Sequence, residues 1–213
     1  MSALQLGYTK REELLTIMHS IQKRLHFLYK FTRYPKQIGS ITPSSSFLAR
    51  RMVSQIDWST VRYVAELGSG TGAITKYMKQ AAVPGTKTLL FECDPFMRDQ
   101  LVRQYPDCSC YPDANQLLES MRSAGIGQLD CIISGLPFFN FPQEMRDSII
   151  DEVLQSLKPR GLFVAFQYSK QMRIKLSLYF DVEALHFVPL NMPPAFIYVC
   201  RKREGSLYDS EVE

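Results

Sequence analysis

Apolar and polar positions along this chain follow two different periods. Between residues 10 and 33 the side chains Leu14, Met18, Ile21, Leu25 and Leu28 recur in steps of four and three, the spacing of one face of an α-helix. Leu15, Ile17, Phe27 and Phe31 widen that stripe, and Pro35 ends it. Residues 36–46 read as a loop whose serines can cap a helix from Phe47 to Ile56. Past Trp58 the period shortens: strand-like runs fall at 61–67, 87–93, 107–111, 129–135, 162–168, 180–188 and 195–202. Helical patterns separate the first five, at about 72–82, 95–104, 114–123 and 142–157, with a shorter one at 170–178. Strands alternating with helices predict parallel βαβ units. Residues 180–202 break the rhythm, because two strand-like runs are joined through Pro189, Asn191, Pro193 and Pro194 with no room for a helix. The expected fold is α/β, a seven-stranded and mostly parallel sheet that finishes in an antiparallel hairpin. The expected boundaries are an amphipathic segment 1–46, an α/β domain 47–203 and a polar tail 204–213.

Composition narrows the class. With 213 residues, 46% apolar and 22% charged, the chain suits one globular domain with a sizeable core. No apolar run approaches the roughly 18 residues that read as a bilayer span. Met1–Gln5 lacks the basic and apolar regions of a signal peptide, so a cytoplasmic location is expected. The five cysteines have no ligand spacing, which leaves no metal site to expect. Cys93, Cys131 and Cys200 fall in strand-like runs and read as reduced, small core residues. Charge is uneven. Residues 1–36 hold seven basic side chains against Glu12 and Glu13, while the remainder holds 18 basic and 19 acidic ones. That asymmetry points to an anionic partner, lipid headgroups or nucleic acid.

The strand 61–67 runs into Glu66-Leu67-Gly68-Ser69-Gly70-Thr71-Gly72, and a helix follows. Alternate glycines permit a tight turn and close approach of a ligand to the backbone, and amides at the helix start favour an anionic group. About twenty residues on, the second strand ends at Glu92-Cys93, where a carboxylate can take both hydroxyls of a ribose. Gly68-x-Gly70-x-x-Ala73 also satisfies a looser dinucleotide fingerprint, but Glu66 would repel a pyrophosphate and suits an ammonium. S-adenosylmethionine offers an ammonium, a carboxylate and a ribose without phosphate, so it is the expected cofactor in a Rossmann-like domain. Asp113-Ala114, after the third strand, either receives the adenine or caps the next helix. The expected cofactor contacts are Glu66, Gly68, Ser69, Gly70, Gly72, Glu92, Cys93, Asp113, Ala114 and Ser134.

The fourth strand opens into Ser134-Gly135-Leu136-Pro137-Phe138-Phe139-Asn140-Phe141 at the end of the sheet where such folds bind ligands. Methyl transfer requires alignment and a water-poor cage more than a strong base. Carbonyls of Ser134 and Gly135 can orient an amine, and Phe138 and Phe139 can face a cationic nitrogen, or the rings pack the sheet. For Phe141 packing is expected. Phe166-Gln167-Tyr168 ends the fifth strand beside this loop, where Tyr168 and Gln167 bind a headgroup or satisfy each other. Asn191–Pro194 lies on the rim, and His186 is expected to be a packed core histidine. Ser134, Gly135, Phe138 and Tyr168 are the expected catalytic set.

Three segments together carry a resemblance: Phe31 with Tyr34-Pro35 and Ile38-Gly39-Ser40-Ile41-Thr42-Pro43-Ser44; Glu66 to Gly72; and Ser134-Gly135-Leu136-Pro137-Phe138. The sequence resembles the bacterial phospholipid N-methyltransferases, which methylate phosphatidylethanolamine stepwise, and Asn191-x-Pro193-Pro194-Ala195 with Tyr198 and Arg201 is similar to their closing hairpin. The resemblance implies a cofactor site at Glu66, Gly68, Gly70, Glu92 and Asp113, and headgroup contacts at Tyr168, Tyr34 and Arg201. The Gly loop also resembles that of the ribosomal RNA adenine dimethylases. Those enzymes place Asn where this chain has Gly135, and they append a helical RNA-binding domain, whereas about ten residues follow the last strand here. An enzyme acting on a small-molecule amine is the other alternative. The basic, aromatic N-terminal helix is suited to an anionic membrane surface, to a lid over the cofactor, or to both. The expected location is therefore cytoplasmic and peripheral to the inner face of the membrane.

Overall fold

The computed structural model describes residues 45–205, all within the unit Ser40–Glu213. The amphipathic helix expected at 10–33, Tyr34 and the tail from residue 206 lie outside the described residues. The first helix, α1 (Ser46–Val53), starts where the Ser45 hydroxyl accepts from the Leu48 amide at 3.1 Å, and it buries Leu48, Ala49, Met52 and Val53. It stops three residues short of the expected end. Trp58 then turns back, its indole N–H donating to the Val53 carbonyl at 3.0 Å.

The strands are β1 (Tyr63–Leu67), β2 (Lys87–Phe91), β3 (Ser109–Tyr111), β4 (Leu129–Ser134), β5 (Leu157–Gln167), β6 (Phe180–Val188) and β7 (Ala195–Lys202). Their order is β3-β2-β1-β4-β5-β7-β6. β1 to β5 pair in parallel, and β7 lies antiparallel to both β5 and β6. The helices α2 (Thr75–Ala81), α3 (Pro95–Gln104), α4 (Leu117–Ser123), α5 (Gln143–Ser156) and α6 (Met172–Tyr179) connect them. Val64, Ala65 and Leu67 of β1 are fully buried, as a parallel strand covered on both faces must be. β6, at the edge, exposes Asp181, Glu183 and Phe187.

β1 has β2 on one side and β4 on the other, so the chain reverses its direction of travel across the sheet between them. The crevice outside the carboxyl ends of those strands is the switch point at which open α/β sheets bind ligands. Local departures from the expected elements have backbone causes. Gly68, Gly70 and Gly72 all take positive φ, which keeps the chain in turns and delays α2 to Thr75. Residues 114–123 divide into a 3-10 turn, Ala114–Gln116, and α4. β5 begins five residues early, with Leu157 opposite Leu129 and an irregularity before Leu162, where Arg160 adopts φ 62°. Cys131 and Cys200 are buried in strands, while Cys93 lies past β2 and is half-buried.

Candidate active site

Glu66, next to the last residue of β1, has no exposed surface. One carboxylate oxygen accepts from the Thr75 hydroxyl at 2.5 Å, and the other, Oε1, has no hydrogen-bond partner among the described residues. Burial pushes this carboxyl up to about 8, the Thr75 hydrogen bond opposes the rise and the neighbouring Glu92 adds to it. A buried acceptor without a donor is costly, and an ammonium would supply the donor. Beside it, a Cβ placed on Gly70 would meet nothing within 4 Å, so the loop has space for a ligand. The residues present fit S-adenosylmethionine.

Glu92, 5% exposed, is held by backbone. Its Oε2 accepts from the Gly70 amide at 2.7 Å and its Oε1 from the Asp94 amide at 2.9 Å. Burial raises its pKa, and these two hydrogen bonds oppose the rise. Oε2, with one donor, keeps a lone pair for a ribose hydroxyl. The amides of the glycine loop itself have partners inside the protein. Gly68 and Ser69 donate to the Phe91 carbonyl at 2.9 and 3.0 Å, and Gly72 donates to the Ser69 carbonyl at 2.9 Å. With Gly70 given to Glu92, four loop donors are spent inside the protein. The Glu92 amide donates to the Tyr111 carbonyl at 3.0 Å, which brings Asp113 and Ala114 to the same end of the sheet. Asp113 acts as a cap here, accepting from the Asn115 amide at 2.9 Å. The Cys93 thiol donates to Glu92 at 3.6 Å, and burial pushes its pKa far up, so it stays neutral.

On the other side of the crevice, Ser134 is fully buried, and its hydroxyl accepts from the Leu136 amide at 3.2 Å. The Gly135 amide donates to the Leu67 carbonyl at 2.8 Å, and a Cβ at 135 would come within 2.9 Å of the Gly68 carbonyl oxygen. Glycine there lets the acceptor loop lie against the cofactor loop. Of the two phenylalanines, Phe138 is 1% exposed and meets Phe141 and Phe163 edge-on at 6.2 Å. Its ring is core, because the 3-10 turn Phe138–Asn140 rolls it under the sheet. Phe139, half-exposed, is the ring left facing outward.

Gln167 and Tyr168 do not satisfy each other. The Gln167 amide nitrogen donates to the Leu136 carbonyl at 2.8 Å and to the Phe166 carbonyl at 2.5 Å, and its oxygen accepts from the Phe139 amide at 3.4 Å. It clamps the acceptor loop to the end of β5. Tyr168 is partly exposed beside Phe166. Burial raises its phenol pKa, and a hydrogen bond with Asn191 opposes that. His186 is only half-buried, its Nδ1 lying 3.4 Å from an Arg51 nitrogen, so it is not a packed core residue. Arg201 lies level with Leu162 near the opposite end of β5 from Gln167 and forks onto Glu183 at 2.6 and 3.0 Å. It is therefore remote from any headgroup bound at the carboxyl ends. Sequence reading missed Thr75 and the clamp by Gln167. Thr75 stands nine residues past Glu66 in the first turn of α2, a spacing that a search for hydroxyl partners of Glu66 would have found.

No family model matches the sequence. The chain is 34% identical over 184 residues to the ornithine lipid N-methyltransferase of Singulisphaera acidiphila, with 82% of this chain and 94% of that protein aligned. The N-methyltransferase NodS from Bradyrhizobium japonicum WM9 superposes with a TM-score of 0.60 at 12% identity, over 73% of this chain and 94% of that one. NodS in complex with S-adenosyl-L-homocysteine gives the same score. The Burkholderia thailandensis 1,6-didemethyltoxoflavin-N1-methyltransferase reaches 0.65 at 12% identity, over 87% and 90%. These superpositions establish the class I methyltransferase fold.

Proposed function

The chain belongs to the bacterial lipid N-methyltransferases, S-adenosylmethionine-dependent enzymes, and from that premise we propose that it methylates the amine of a membrane lipid headgroup, that of phosphatidylethanolamine and its methylated derivatives, from the cytoplasmic side. The observation that carries a lipid acceptor is the 34% identity with an ornithine lipid N-methyltransferase across 82% of this chain and 94% of that protein. That relative favours a second acceptor of the same chemistry, the free amine of an ornithine lipid.

When bound, S-adenosylmethionine supplies a methyl carbon made electrophilic by its sulfonium, which an uncharged amine attacks in line. The chain's own part is to hold and exclude. Glu66 would hold the cofactor's ammonium and Glu92 its ribose hydroxyls. Gly135 packs the acceptor loop against the cofactor loop, and Gln167 holds that loop so that Phe139 presents a ring to the nitrogen as positive charge builds on it. Carbonyls of the acceptor loop orient the amine, and its proton leaves to water. The excess positive charge of residues 1–36 draws the enzyme to an anionic surface, an attraction that salt weakens.

Gly135 stands against an RNA acceptor. The Asn of the adenine dimethylases would bring a Cβ to within 2.9 Å of the Gly68 carbonyl oxygen. Labelled S-adenosylmethionine, incubated in parallel with vesicles of phosphatidylethanolamine, vesicles of ornithine lipid and ribosomal subunits, decides among these. Label in phosphatidylethanolamine is the expected result, label in ornithine lipid alone moves the acceptor to that lipid, and label in RNA alone overturns the lipid reading.

A further inference from the structure

We propose that the folded domain itself seats on the bilayer interface, through the loop between β6 and β7. This rests on the lipid-amine reading above. Ten large apolar side chains are exposed among the described residues, and six stand at one end of the sheet. Phe96, Phe139 and Tyr168 follow β2, β4 and β5, while Phe187, Leu190 and Met192 lie where β6 gives way to β7. Single exposed apolar residues mean little, but a concentration at the mouth of a site marks an interaction surface.

The loop is built to display its apolar members. Leu190 is 67% and Met192 78% exposed, yet Asn191 between them is only 5% exposed. The Asn191 side chain accepts from the Ser45 amide at 3.0 Å, donates to the Pro193 carbonyl at 2.7 Å and pairs with Tyr168. A loop that buries its polar residue and shows water its apolar ones inverts the usual arrangement. Pro189, Pro193 and Pro194 restrict its backbone. Cations flank it. Arg51 reaches His186, and Lys170 lies 5.2 Å over the Phe196 ring, which itself sits 5.1 Å from Phe187. Neither cation meets a carboxylate among the described residues. Apolar groups framed by cations match an anionic lipid interface. Among the described residues no helix is long and apolar enough to cross a membrane. The occupant is the bilayer rather than a second copy of the chain, because a second copy here would cover the end through which the headgroup enters.

The test uses the full chain, vesicles of phosphatidylethanolamine and phosphatidylglycerol, and a water-soluble short-chain phosphatidylethanolamine. Leu190→Ser with Met192→Ser should weaken vesicle binding roughly tenfold or more and lower turnover on vesicles by a similar factor. Turnover on the soluble lipid and S-adenosylmethionine affinity should stay at the native level. Unchanged vesicle binding overturns the proposal, as does a change in oligomeric state in place of a change in binding. Failure of the native enzyme on both lipids overturns phosphatidylethanolamine as the acceptor instead. Leu190→Trp supplies an independent readout, since Trp58, the chain's own tryptophan, is 8% exposed. Emission should shift to the blue on adding vesicles, and no shift overturns the proposal.

Discussion

On the β1–β3 side of the crevice the buried polar anchors are carboxylic acids, Glu66 held by Thr75 and Glu92 held by the amides of Gly70 and Asp94. On the β4–β7 side the corresponding anchors are neutral amides, Gln167 on the Leu136–Phe139 loop and Asn191 between Ser45, Pro193 and Tyr168. The difference follows from what each side must do. A ligand that brings a positive charge of its own would be well served by buried carboxyls that can give up a proton to it. An amine that must lose its proton before it can attack is not, because a carboxylate beside it would hold it as the ammonium. Neutral anchors would position an acceptor without charging it.

The comparison can be broken most sharply inside the acceptor loop. Phe138→Ala should cost about 3–5 kcal/mol of stability, since it empties a fully enclosed aromatic site. Chemical denaturation measures it, and a loss of activity with full stability would return Phe138 to the catalytic set. Glu66 is the next largest. Its carboxyl sits at about 8 in the fold against an ordinary 4.5, so the folded state binds the extra proton. That contribution is complete below about 4.5 and is lost as pH rises towards about 8, a fall on the order of a few kcal/mol. Stability curves across that range should flatten in Glu66→Gln. The ammonium of the cofactor then displaces the proton, so calorimetry at pH 7 in buffers of different ionisation enthalpy should show proton release that the variant abolishes.

Gln167→Ala sharpens the division between the sides. It should lower stability by about 1–3 kcal/mol and acceptor kcat/KM with it, while the Kd for S-adenosylmethionine stays put. A weakened cofactor Kd would mean that the clamp serves both sides. Phe139→Leu is the smallest, about 0.5–1 kcal/mol in kcat/KM for the amine, and equal loss in Phe138→Leu at native stability would remove the distinction between the two rings.

Local sequence carried the carboxylates and the strands because each is announced within a few residues: a β-run ending in Glu66, three alternating glycines, a second run ending in Glu92. The hairpin was legible from Pro189, Asn191, Pro193 and Pro194, but the insertion of β7 between β5 and β6 was not, since strand order depends on pairings between distant segments. Phe138 and Phe139 are adjacent and chemically identical, and nothing local says which is buried. A 3-10 turn decides it. The same holds for Gln167, whose partners lie 28 and 31 residues earlier, and for Asn191, bonded across 146 residues to Ser45.

By itself the sequence determined the fold class, the cofactor and the lipid family, because periodicity, turn glycines and terminal carboxylates act over short stretches of chain. Tertiary structure alone decided which ring is buried and which faces outward, that the glycine-loop amides are spent within the protein, and that Gly135 is required by the Gly68 carbonyl 2.9 Å from where its Cβ would stand. Those are matters of close packing between segments far apart in the chain, and excluded volume has no signature in one segment read alone.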